Sequence, residues 1–200
     1  MMNTGEKIIK SKNRLLSTIA YQLNNKTFYA IEGSIFTAGS LVQWLRDQLG
    51  IISNASEIES LASTVKDSGG VTFIPALSGL GAPYWNPKAT GSILGITRGT
   101  EKGHIARAAL EGIAIRTYEI IQNMQKDANT QFTNLKVDGG ASNNNLLMQI
   151  QCNLIEANVI RPVITETTAL GVGYLAGLGS GYWKSIEDLK NIWKHEREFL

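Results

Sequence analysis

The chain has 200 residues, 19 Lys and Arg against 17 Asp and Glu, and a formal net charge of +2. That length suits one domain with a full core, and a near-balanced charge without a basic run gives no support for nucleic-acid binding. A single cysteine, Cys152, excludes an internal disulfide, and no apolar run is long enough to span a bilayer, so a soluble cytoplasmic protein is expected.

The first residues, MMNTGEKIIKSKN, lack the apolar core of a signal peptide. Residues 15–22 and 27–32 are β-prone, and Asn24-Asn25 between them predicts a hairpin. From Phe36 to Leu49 the spacing turns helical, with Phe36, Leu41, Trp44, Leu45 and Leu49 on one side and Gly50 as the stop. Ser53 or Asn54 then caps a shorter helix over 57–65. Residues 71–75 read as a buried strand, 78–86 as an aromatic, glycine-rich loop, and 92–97 as another short strand. The longest helix is expected over 102–125, with Ile105, Ala109, Ile113, Ile120 and Met124 along one stripe.

Phe132, Leu135 and Val137 suit a strand that runs into Asp138-Gly139-Gly140, where two glycines let the backbone turn. Ser142 or one of the following asparagines offers an N-cap, and Leu146, Leu147, Ile150 and Leu154 recur at helical spacing. Such a turn leaves bare backbone beside a helix N-terminus, where a flat or phosphorylated ligand can come close. Taken alone, the segment slightly favours a plain strand-to-helix connection. Cys152 lies on the apolar helix and reads as buried filler, with no partner pattern for a nucleophile. Residues 158–162 form a strand, 168–178 a small-residue helix that must pack closely, and 185–199 a charged, exposed helix. The 20 glycines sit beside apolar segments and not in a linker. The order of elements predicts a layered α/β domain with a mixed central sheet flanked by helices.

Longer motifs add to this reading. Gly91-Ser92-Ile93-Leu94-Gly95-Ile96, then seven residues, then His104-Ile105-Ala106-Arg107-Ala108-Ala109-Leu110-Glu111 resembles the second signature of the FGGY carbohydrate kinase family in every position. The loop SGLGAPYW at 78–85, followed by Thr97-Arg98-Gly99, is similar to the glycerol kinase branch of that family. So are Asn3-Thr4-Gly5-Glu6, the run from Ala38-Gly39 to Gln43-Trp44-Leu45-Arg46-Asp47, Val137-Asp138-Gly139-Gly140, and Thr168-Ala169-Leu170-Gly171. The resemblance covers nearly the whole chain.

It implies a ribonuclease-H-like, actin-like ATPase fold, in which two lobes close over a cleft that holds ATP. The implied reaction moves the γ-phosphoryl group of ATP to a terminal hydroxyl of glycerol. The chain is similar to the second lobe only, so residues 1–200 are expected to be the C-terminal, nucleotide-binding lobe. The first lobe carries the family's phosphate loop, catalytic aspartate and glycerol-gripping residues, so no catalytic residue is assigned here. The expectation is a fragment, or the product of a split gene, inactive alone. Mg2+ would enter with ATP, held mainly by the other lobe, glycerol would bind through that lobe, and the full-length protein is expected to be a homo-oligomer.

The resemblance carries the family's nucleotide contacts to Gly39, Gln43, Gly140 and Asn144, with Val42 and Ala55 as apolar neighbours. Gly140 would let the backbone approach base and ribose, and Asn144 can hydrogen-bond the nucleotide. Spacing alone would leave Gln43 as a solvated helix residue and Gly39 as a packing glycine. Asn143 and Asn145 flank Asn144, so the register of the contact stays open by one position. Asp138 either braces the turn or touches ligand. Tyr84 and Trp85 read as packing under their loop or at a contact, Arg98 as a surface or structural ion pair, His104 as helix-start packing and His195 as solvated. The histidines and the cysteine lie too far apart for a metal cluster. Two other readings stand: an FGGY kinase acting on a pentose or similar polyol, and a non-catalytic module for nucleotide binding or assembly.

Overall fold

The computed structural model describes residues 1–200, and two compact units divide the chain, Met1–Phe132 and Thr133–Leu200. The architecture is mixed α/β, with its strands distributed over three small sheets.

In the first unit, β1 (Met2–Gly5), β2 (Leu16–Leu23) and β3 (Lys26–Glu32) form an antiparallel sheet in the order β1-β3-β2. The expected hairpin joins β2 to β3. Asn24 and Asn25 both take positive φ, 50° and 61°, as a type I′ turn requires to match the strand twist. Strand β1 goes beyond the expected elements, because four residues carry little pattern until β3 supplies the partner. Helix α1 (Gly39–Asp47) buries Leu41 and Leu45 one turn apart. It starts later than the spacing predicts, and Phe36 lies outside it, exposed.

Helix α2 (Glu57–Ala62) is capped in reverse. The Glu57 carboxylate accepts from the Ser53 backbone at 2.8 Å and from Asn54 Nδ2 at 2.9 Å, so neither Ser53 nor Asn54 supplies the capping oxygen. β4 (Thr72–Ile74) pairs antiparallel with β5 (Ser92–Leu94). Phe73 is buried while Thr72 and Ile74 face out, so this pair is covered on one face only.

Helix α3 (Lys102–Ala128) spans the expected stretch and three residues more. Ala106, Ala109, Leu110, Ile113, Ile120, Ile121 and Met124 are buried along it. Its start is a capping box in which His104 Nδ1 accepts the Glu101 backbone N–H at 3.0 Å. Gly112 faces the edge of β4, where a Cβ would stand 2.5 Å from the Phe73 carbonyl oxygen. A core of Leu15, Ile31, Ala82, Ile120 and Met124 ties the first sheet to α3, with Trp85 and Phe132 packed against it. Burial of each large member contributes about 1.5–3 kcal/mol. The 78–85 loop is braced: Tyr84 Oη donates to Glu119 at 2.8 Å, Arg116 Nη2 donates to Ala82 O at 2.6 Å, and Trp85 Nε1 donates to Arg14 O at 2.7 Å. Tyr84 is exposed and Trp85 half-buried, and both are tied to neighbouring elements, Tyr84 to Glu119 on α3 and Trp85 to the Arg14 carbonyl.

In the second unit, β6 (Asn134–Lys136) runs parallel to β7 (Asn158–Pro162), and β8 (His195–Phe199) pairs antiparallel on the other side of β7. This sheet is mixed, but the expected single central sheet is divided, because the hairpin belongs to the separate antiparallel sheet of the first unit. Helix α4 (Asn145–Ile155) connects β6 to β7 through the glycine turn, and α5 (Thr167–Gly179) and α6 (Ile186–Ile192) follow. The tail corrects the expected single helix over 185–199. A Ser185–Asp188 capping box starts α6, the helix ends at Ile192, and the chain then becomes an edge strand that buries Phe199. Helix α5 has no fully buried residue, and Val172 is 66% exposed, but Gly177 gives the expected close packing, because a Cβ there would stand 2.2 Å from the Trp183 ring.

Candidate functional site

The glycine turn is held by hydrogen bonds on both flanks. The Val137 N–H donates to Ile160 O at 3.0 Å, which carries the β6–β7 pairing to the edge of the turn. Gly139 has φ +73°, a left-handed conformation that favours glycine, and its N–H donates to Thr165 O at 2.8 Å. The Ser142 hydroxyl donates to Gly139 O at 2.7 Å, closing a single 3-10 turn over Gly140–Asn143. The Thr167 hydroxyl donates to Asp138 Oδ2, so Asp138 braces the turn from the first residue of α5.

Asn144 is the N-cap of α4. Its Oδ1 accepts the Leu147 N–H at 2.8 Å, which fixes the orientation of the side-chain amide. Its Nδ2 is thereby left buried with no hydrogen-bond partner. An unsatisfied buried donor costs about 1–3 kcal/mol, and native structures keep few of them. Gly140 stands beside it in open space, with no atom within 4 Å of where a Cβ would sit. Asn143 is exposed, and Asn145 Oδ1 accepts from Arg161 Nη2 at 3.0 Å. Of the three adjacent asparagines, Asn144 alone combines a cap with an unused donor.

Gly39 opens α1, whose N-cap residue, Ala38, makes no side-chain cap. The first N–H groups of such a helix lack intrahelical partners and carry partial positive charge. No atom lies within 4 Å of a Cβ built at Gly39, so the packing-glycine alternative has nothing to pack against. Gln43 follows one turn later, exposed, while Val42 is half-buried and Ala55 exposed. Thr37, two residues before Gly39, is fully buried and its Oγ1 has no partner. Gly39 and Gln43 belong to the first unit, and Gly140 and Asn144 to the second.

Two residues, one in each unit, are not among the sequence candidates. One is Thr37, and the other is Arg161, a buried arginine in β7 whose Nη1 donates to Ser142 O at 2.7 Å. A lone arginine following the apolar pair Val159-Ile160 in a strand is the signal that points to it. The remaining candidates have structural settings. Arg98 is exposed and outside the ion pairs, His104 serves the α3 cap, His195 is exposed on β8, and Cys152 Sγ lies buried 3.3 Å from Phe199 O. No group of three or more His, Cys, Asp or Glu is placed to hold a metal ion. No helix is long and apolar enough to cross a membrane.

Residues 1–180 match the C-terminal domain of the FGGY family of carbohydrate kinases. The chain belongs to that family. Among FGGY relatives it is 55% identical to the glycerol kinase of Herminiimonas arsenicoxydans, over 100% of this chain and 41% of that one. It is also similar to the crystal structure of Plasmodium falciparum glycerol kinase with ADP, with a TM-score of 0.89 and 39% identity over 98% of this chain and 40% of that chain. Gluconate kinase from Lactobacillus acidophilus gives a TM-score of 0.81 at 22% identity, over 99% of this chain and 40% of that chain. That last likeness carries the fold alone, which is the actin-like ATPase fold of the FGGY kinases. The chain spans about 40% of the length of these relatives.

Proposed function

We propose that residues 1–200 act as the nucleotide-holding lobe of an ATP-dependent glycerol kinase, which converts ATP and glycerol to ADP and sn-glycerol 3-phosphate. The observation that carries this reading is the Gly140–Asn144 turn, open where a side chain would stand and holding a buried amide donor without a partner. The level of identity to glycerol kinases over the whole chain supports glycerol as the substrate class.

In this reading Gly140 admits the base and ribose against bare backbone, and Asn144 Nδ2 donates to the nucleotide. Gly39 and Gln43 give a second set of contacts from α1, where the free N–H groups favour negative charge. Phosphoryl transfer depends on positioning and charge stabilisation more than on covalent chemistry. The contribution of this chain is to orient the adenosine half of ATP. Bound Mg2+ would supply charge neutralisation at the phosphates, and in this reading the catalytic base and glycerol pocket come from the rest of the enzyme. The whole enzyme is proposed to be cytoplasmic and homo-oligomeric.

An NMR titration of the chain with Mg-ADP tests the reading. Amide shifts confined to residues 39–43 and 140–144 are expected, with weak affinity, because half of a two-sided site lacks preorganisation. Gly140→Leu should fold normally, since a side chain there meets no neighbour, yet lose binding about tenfold or more because the leucine fills the approach. Unchanged ADP affinity in that variant would sink the site.

A further inference from the structure

We propose that Arg161 is the positioning residue of the nucleotide turn, clamping the Ser142 carbonyl before Asn144 and the Asn145 side chain after it. The proposal rests on the nucleotide reading of that turn. Arg161 sits in β7 between Ile160 and Pro162 and is 7% exposed. Its guanidinium meets three acceptors from three places in the chain. Nη1 donates to Ser142 O at 2.7 Å, Nη2 to Asn145 Oδ1 at 3.0 Å, and Nε to Glu196 Oε2 at 2.8 Å. The ring of Phe199 lies 5.5 Å from its central carbon and covers one face.

The first two acceptors bracket Asn144, two residues before it and one after. Asn144 therefore has little freedom to shift along the turn. Its own cap to Leu147 sets the amide orientation, and the Arg161 fork sets the position. Stability alone does not explain an arginine here, because a buried ion is often replaced by an apolar residue at no loss. A lysine could supply the charge but not the planar fork that reaches Ser142 and Asn145 together. Glu196 holds the third nitrogen from β8, so the edge strand is part of the same clamp.

The test compares Arg161→Lys, Glu196→Gln and a core control, Val159→Ala, in the complete 200-residue chain. Val159 is fully buried on the same strand and takes no part in the hydrogen bonds of the fork. Three quantities are measured for each variant: melting temperature, ADP affinity, and amide exchange over residues 142–147 without nucleotide. Arg161→Lys should weaken ADP binding about tenfold and speed exchange in the turn. Glu196→Gln should do so to a smaller degree, while Val159→Ala lowers the melting temperature and leaves affinity unchanged. The clamp is overturned if Arg161→Lys loses no more affinity than Val159→Ala, or if exchange in the turn does not change. Failure of the wild-type chain to bind ADP overturns the nucleotide reading itself. Exchange in the turn then reports separately whether Arg161 orders it.

Discussion

Beside the glycines held at positive φ, two kinds matter here, and the difference decides what each substitution does. At Gly112 a methyl group would meet the Phe73 carbonyl at 2.5 Å, so the missing side chain is what lets α3 approach β4. Gly112→Ala is expected to destabilise the chain by about 1–3 kcal/mol through overpacking, read as a lower melting temperature, with no direct effect on ADP contacts. At Gly39 and Gly140 nothing in the chain forbids a side chain. Packing does not account for their bareness, whereas the proposed nucleotide does. Sequence alone does not separate the two kinds, since both stand in apolar, glycine-rich surroundings. The same limit hides Thr37, whose orphaned hydroxyl is visible only once its neighbours are in place.

Between elements, the most specific fastening in the first unit is at Asp127 near the end of α3. Its carboxylate accepts from the Ser11 hydroxyl, from the Lys12 N–H at 2.8 Å and from Asn13 Nδ2 at 2.8 Å. Burial pushes the Asp127 carboxyl up, but the hydrogen bonds from Ser11, Lys12 and Asn13 together hold it below its ordinary value. A carboxylate depressed in the folded state stabilises the fold above its unfolded pKa, about 3.9, and that share is lost as pH falls through the lower folded value. Urea unfolding measured from pH 6 downward should therefore show a steeper loss of stability below about pH 4 in the wild type than in Asp127→Asn. Equal slopes would remove Asp127 from the acid response.

Elements with strong internal signals are legible in the sequence itself. Helix α3 follows its apolar stripe, and the β2–β3 hairpin follows Asn24-Asn25. Helix α4 and its asparagine cap follow the glycine turn, although only the hydrogen bond to Leu147 decides which asparagine caps. The elements that the sequence leaves obscure depend on distant partners. β8 carries four exposed residues, His195, Glu196, Arg197 and Glu198, and looks like the outer face of a helix until β7 pairs with it. β1 needs β3 in the same way.

At the scale of the whole molecule, the matched share of about 40% sets the expectation. Supplied with the remaining part of a glycerol kinase relative, made as a separate polypeptide, the chain should support ATP-dependent phosphorylation of glycerol. A coupled assay for ADP release checks this. A preference for a pentose or other polyol would favour the broader sugar-kinase reading, and a stable complex without turnover would favour a binding module. The exposed apolar residues of α5, Val172 and Leu175, make a folded complex the first thing to look for.

The Asp127 fastening also bears on how the chain is made. Its bond to Lys12 joins positions 115 residues apart, so the strands near the start of the chain are synthesised long before the carboxylate that secures them. At translation rates of about 5–20 residues per second, that interval lasts roughly 6–23 s. During it the hairpin can form from local contacts, while its apolar underside, including Leu15 and Ile31, has no helix to cover it. For that interval the surface that α3 covers in the folded chain would be open to a chaperone or to a neighbouring nascent chain.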